Sequence, residues 1–107
     1  MKFITNYREL GEPTGDSLLN HRERLSKEKK TTILTYLKTG NRYAICCSLI
    51  YDYVTDEQTA DTIYAFTDGE YKWDSEEIYH FEKYDIALDA QFVRKVLRQT
   101  EEKEQKR

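Results

Sequence analysis

The chain has 107 residues, 38% of them hydrophobic and 35% charged, enough for one modest core and too few for two domains. Its net charge of -3 and pI near 5.4 lack the domain-wide basic excess that marks general nucleic-acid binding, so direct nucleic-acid contact is not expected and a basic protein partner fits better. No stretch approaches the roughly 20 apolar residues that span a bilayer, and the first residues lack the pattern of a secretory leader, so a cytoplasmic location without membrane contact is expected.

In chain order, Phe3, Ile4 and Tyr7 suit a short edge strand or an extended arm, a choice the brief pattern leaves open. Gly11, Glu12, Pro13, Thr14, Gly15 and Asp16 concentrate the breakers and form a loop, after which Leu18, Leu19 and Leu25 allow a helical turn or two. Ser26 caps a helix over residues 27–39, with Ile33, Leu34 and Leu37 as its stripe and Gly40 placed as a left-handed C-terminal residue. Residues 42–54 carry apolar groups on both alternating faces, which suits a central strand covered on both sides. Cys46 and Cys47, adjacent within that run, read as reduced core residues.

The strongest local signal is Asp68-Gly69 between alternating segments, a two-residue hairpin loop. Counting outward from it pairs Thr67 with Glu70, Phe66 with Tyr71, Ala65 with Lys72 and Tyr64 with Trp73, which lines four aromatics along one face. Asp74 with Glu77 forms a capping box, and Trp73 with Ile78 a hydrophobic staple, for a helix that follows at once. Asp89 caps another, with Phe92, Val93, Val96 and Leu97 at helical spacing. The expected fold is α+β, with a small, mainly antiparallel sheet of three or four strands, an N-terminal helix and two C-terminal helices. It forms one domain over residues 1–99, with a charged, frayed tail over 100–107.

Candidates for chemistry are thin. His21 and His80 sit in no metal-ligand spacing, and no cofactor fingerprint is present, so neither a metal nor a cofactor is expected. Cys47 within an apolar strand and His80 on a helix face, partly exposed, make a poor thiolate and base pair, so no enzyme activity is expected. Arg22, Arg24, Lys27, Lys29 and Lys30 are diluted by Glu23 and Glu28 and read as a solvated face. Acidic groups cluster around the hairpin and its approaches: Asp52, Asp56, Glu57, Asp61, Asp68 and Glu70, interleaved with Tyr51, Tyr53 and Tyr71. Together they make a candidate surface for a positively charged protein, through steering by charge and anchoring by tyrosine. Turn chemistry, capping and ordinary solvated charge account for the same pattern.

Two segments carry a resemblance. Arg8-Glu9-Leu10-Gly11-Glu12-Pro13-Thr14-Gly15-Asp16-Ser17-Leu18 resembles an early G-E-P-x-G-x-S loop. Thr67-Asp68-Gly69-Glu70-Tyr71-Lys72-Trp73, continuing through Tyr79, Lys83-Tyr84, Leu88 and Phe92-Val93, resembles a T-D-G-x-[YW]-x-W hairpin with its following helices. Both are similar to a group of small bacterial proteins that includes immunity proteins of toxin-immunity systems, among them those of contact-dependent growth inhibition. Asp74 stands where relatives often have proline, and either residue can begin a helix. The resemblance implies a cytosolic inhibitor that binds the C-terminal domain of a cognate toxin, of the basic nuclease kind, in a 1:1 heterodimer that occludes the active site. The group's motif assigns no interface residues; a protein-protein adaptor without inhibitory activity is the rival reading, and a nucleic-acid-binding module ranks behind it.

Overall fold

The computed structural model describes residues 2–12 and 14–105. Pro13 of the G-E-P loop, Lys106 and Arg107 of the charged tail, and Met1 lie outside the described residues. The chain is α+β. Strand β1 (Lys2–Phe3) is followed by two short 3-10 turns, helix α1 (Lys27–Lys38), strands β2 (Asn41–Asp52), β3 (Glu57–Thr67) and β4 (Tyr71–Asp74), and helices α2 (Ser75–Tyr84) and α3 (Ala90–Gln105). The sheet order is β1-β4-β3-β2, with β1 parallel to β4 and the other pairs antiparallel.

Local chemistry sets the helix starts. Ser26 Oγ accepts the Lys29 amide at the start of α1. The box at α2 is closed in both directions, with Asp74 Oδ1 accepting from the Glu77 amide and Glu77 Oε1 from the Asp74 amide. Asp89 Oδ2 accepts the Phe92 amide at α3. Helix α3 continues through Gln105, so the described part of the tail expected to fray over 100–107 is helical, with residues 101–103 exposed.

Beneath the helices lies an aromatic core. Phe92 of α3 meets Tyr71, Trp73 and Tyr36 at ring-centroid distances of 5.0, 5.7 and 5.8 Å, and Trp73 Nε1 donates to Leu37 O of α1 at 3.0 Å. Gly40 does not take the left-handed conformation expected of it; α1 instead closes on Thr39, whose amide bonds Thr35 O and Tyr36 O. What Gly40 provides is room, because a Cβ there would lie 2.6 Å from Trp73 Cζ2.

Three further expectations are corrected. The β3–β4 register is two residues wider than the Asp-Gly count, pairing Thr67 with Lys72, Phe66 with Trp73 and Ala65 with Asp74. The cause is Asp68, whose Oδ1 accepts the amides of both Glu70 and Tyr71 and so draws the loop out to four residues. A shift of two leaves every side chain on its expected face, so the buried aromatic row survives. Strand β2 is not the sheet centre but its edge, because β1 joins beyond β4 and leaves the first strand of the meander outermost. Residues 41–49 are all exposed, and Cys46 and Cys47 with them, so neither cysteine is a core residue.

Candidate functional site

The nine acidic and tyrosine residues singled out in the sequence divide into three structural roles. Asp52, at the end of β2, is 2% exposed. Its Oδ2 accepts from Tyr79 Oη at 2.7 Å and Tyr84 Oη at 2.5 Å, and lies 3.5 Å from Lys83 Nζ, while Oδ1 accepts the Val54 and Thr55 amides, each at 2.9 Å. Burial disfavours its charge, but these donors outweigh burial and hold the carboxyl well below the usual aspartate range. Asp52 therefore organises the turn between β2 and β3 and is withdrawn from any surface.

Asp68 plays the same part at the next hairpin. Burial again opposes the carboxylate, and the donors Tyr36 Oη, the Tyr71 amide, Lys95 Nζ and the Glu70 amide overcome it and hold the pKa at about 2. Tyr71 is 3% exposed and belongs to the core. Glu70 is half exposed but is drawn to Lys95 at 2.9 Å and Lys2 at 3.7 Å. Asp52, Asp68 and Tyr71 thus leave the candidate surface, and Glu70 faces a basic neighbourhood.

Tyr51, Tyr53, Asp56, Glu57 and Asp61 remain. Asp56, Glu57 and Asp61 are exposed, Tyr51 and Tyr53 half-buried. The two rings lie 5.1 Å apart, and Tyr51 Oη donates to Asp56 Oδ1 at 2.8 Å. Asp56 holds φ at 61°, a left-handed conformation that aspartate tolerates, and this closes the tight turn into β3. The turn is fastened from below by α2. The Tyr53 amide donates to His80 Nε2 at 3.0 Å, His80 Nδ1 donates to Glu76 O at 2.7 Å, and the Tyr51 amide donates to Glu76 Oε2 at 3.0 Å.

His80 is fully buried, not partly exposed as its flanking aromatics suggested. Burial lowers its pKa, and both ring nitrogens are engaged, so it has no free nitrogen to serve as a base for Cys47, which is exposed on β2. Among the described residues no group of three or more His, Cys, Asp or Glu side chains is arranged to hold a metal, and no helix is long and apolar enough to cross a membrane. Of the basic cluster, Lys30 reaches Asp85 Oδ1 at 2.5 Å, while Arg22, Arg24, Lys27 and Lys29 are exposed.

Two features escaped sequence reasoning. One is the exposure of β2, where Tyr43, Ile45 and Leu49 stand 52%, 63% and 38% exposed. The other is a cleft of about 570 Å³ between the N-terminal segment and the sheet, lined by Phe3, Ile4, Tyr43, Cys46 and Trp73, with Asp74 and Glu77 at its polar side. Burial, reinforced by the charge of Asp74, pushes the Glu77 carboxyl up to about 8. Thr5 Oγ1 donates to its Oε2 at 2.5 Å. Both carboxyls are already engaged in capping α2, so their presence in the cleft follows from the helix start. No protein-family profile, curated protein or solved structure matches this chain.

Proposed function

We propose that the chain is an immunity protein, one copy of which binds the C-terminal domain of a cognate toxin of the basic nuclease kind and occludes its active site. The exposed carboxylates beside two tyrosine rings at the β2–β3 turn and on β3 are the observation that carries this reading. Asp56 and Glu57 are exposed at the turn, beside the half-buried rings of Tyr51 and Tyr53, and Asp61 is exposed further along β3. The resemblance of the G-E-P loop and the T-D-G hairpin to immunity proteins supports it.

The physical mechanism needs no catalysis by this chain. A nuclease cleft is shaped and charged for phosphates, so carboxylates presented on a firm turn compete for the same cations and speed encounter. Tyrosines contribute packed area at small conformational cost. Because Asp52, His80 and Glu76 already hold the turn, little ordering is left to pay for on binding.

The test is calorimetry with the toxin domain encoded beside this chain, paired with that toxin's nuclease assay. The expected result is a one-to-one complex of nanomolar affinity that abolishes activity. Binding without inhibition would instead establish the adaptor, and absence of binding would remove the immunity reading.

A further inference from the structure

The cleft between the N-terminal segment and the sheet is built from distant parts of the chain. Leu10, Gly11 and Glu12 of the early loop line it together with Lys72 and Trp73 of the hairpin, so the two segments singled out in the sequence meet there. Its volume of about 570 Å³ lies within the roughly 300–1,000 Å³ of small-molecule sites and is more than one side chain fills. Strands β1 and β2 are the two edges of the sheet, and each lends the cleft an open aromatic ring, Phe3 at 62% and Tyr43 at 52% exposure. These rings, beside the buried Ile4, Trp73 and Leu88, suit an apolar body.

The charge of the lining is unbalanced. Glu12, Asp74, Glu77 and Asp89 bring carboxyls, and Lys72 brings the one ammonium among the described lining residues. That ammonium lies 4.5 Å from the centroid of the Phe3 ring, and among the described residues neither Asp74 nor Glu77 has a cation within ion-pair distance. Helix capping fixes where these two carboxyls stand, but it supplies no countercharge. The donors they accept are neutral: the amides of Glu77 and Asp74 and the Thr5 hydroxyl. A carboxylate has lone pairs for further donors. Burial pushes both carboxyls up, Glu77 with the added charge of Asp74, and a cation bound beside them relieves that penalty.

We propose that this cleft binds a small organic cation, an ammonium or amidinium on an apolar body, with its head at Asp74 and Glu77 and its body against Tyr43, Trp73 and Leu88. This inference does not depend on the immunity reading, and its test uses the chain alone.

Phenylbutylamine, phenylbutanol and phenylbutyrate share a body and differ in the charge of the head. Trp73, the chain's single tryptophan, lines the cleft and reports occupancy by fluorescence, with calorimetry as a second readout. Saturable one-to-one binding of the amine is expected at about 1 mM or below, with the alcohol and the acid weaker by about tenfold or more, since only the amine makes charge-assisted bonds. Asp74→Asn combined with Glu77→Gln is expected to bring the amine down to the affinity of the alcohol and to leave the alcohol unchanged, which shows that the cleft survives the change. Tyr43→Ala, at an exposed ring and so safe for folding, is expected to weaken amine and alcohol alike by severalfold. No saturable binding of the amine, or binding indifferent to Tyr43→Ala, would overturn the site. Equal affinity for all three probes, or an amine affinity unmoved in the double variant, would overturn its preference for a cation.

Discussion

Strands β4 and β2 are both rich in apolar and aromatic residues, yet β4 buries Tyr71 and Trp73 while β2 leaves residues 41–49 in the open. The difference lies in their neighbours. β4 is flanked by β1 and β3 and carries its aromatic face against Phe92 of α3, whereas β2 has, among the described residues, a strand neighbour only in β3 and is bonded to α2 near Asp52. Apolar composition records that a strand is to be covered; the element covering it is decided elsewhere in the chain.

The contrast is broken most forcefully at Trp73. Trp73→Ala removes a ring 2% exposed together with its bond to Leu37 O, and should cost ~3–5 kcal/mol in urea unfolding, whereas Ile45→Ala should stay within about 0.5 kcal/mol. Equal losses would erase the distinction between the two strands. Next comes Asp52→Asn, which keeps the shape but withdraws the charge that two tyrosines and two amides share; a loss of about 2–3 kcal/mol is expected by the same measurement. A loss no larger than that of Asp56→Ala would mean that the turn is held some other way.

Two carboxyls sharpen the contrast through pH, with opposite signs. Asp68 is held down from 3.8 to about 2, so its contribution is complete above 3.8 and lost as pH falls through about 2. Asp68→Asn should flatten the stability profile across that acid window. Glu77 is raised from 4.5 to about 8, so the folded chain binds the extra proton and stability declines as pH rises from 4.5 through about 8. Glu77→Gln, which can keep the bonds to the Asp74 amide and to Thr5, should flatten the neutral window, with each effect on the order of 1–2 kcal/mol across its range. Stability profiles from chemical denaturation at successive pH values check both, and an unchanged slope in either variant would place the titrating group elsewhere.

A smaller effect on stability falls on the exposed turn. Replacing Asp56, Glu57 and Asp61 together by alanine should cost about 1 kcal/mol in unfolding, most of it from alanine at the left-handed φ of Asp56, while slowing association with a basic toxin domain about tenfold at low salt and reducing its salt dependence. Stopped-flow association at several salt concentrations measures this, and an unaltered salt slope would remove the turn from the interface.

What was legible in the sequence was local. The caps Ser26, Asp74 and Asp89 act within three residues of themselves, so spacing alone finds them. The position of β2 was not legible, because it depends on the two-residue strand β1 joining the opposite side of the sheet, and a run apolar on both faces describes a covered centre and a bare edge equally well. The same holds for the candidate site. Asp56, Glu57 and Asp61 are exposed as their composition suggests, but the burial of Asp52 arises from Tyr79 and Tyr84, 27 and 32 residues further on. The hairpin register lies between these cases: the Asp-Gly pair marks the turn, and the reach of the Asp68 carboxylate to two amides sets its width.

The N-terminal segment carries a consequence for how the chain comes together in time. Ile4, wholly buried, accepts the Asp89 amide through its carbonyl, and Tyr7 Oη donates to Ala87 O across 80 residues of sequence. A chain emerging from the ribosome cannot make either contact until the linker between α2 and α3 has followed it out. Ile4 and Tyr7 are placed only after residues 80 or more positions later have been synthesised, and until that moment the aromatic floor of the sheet has an open border.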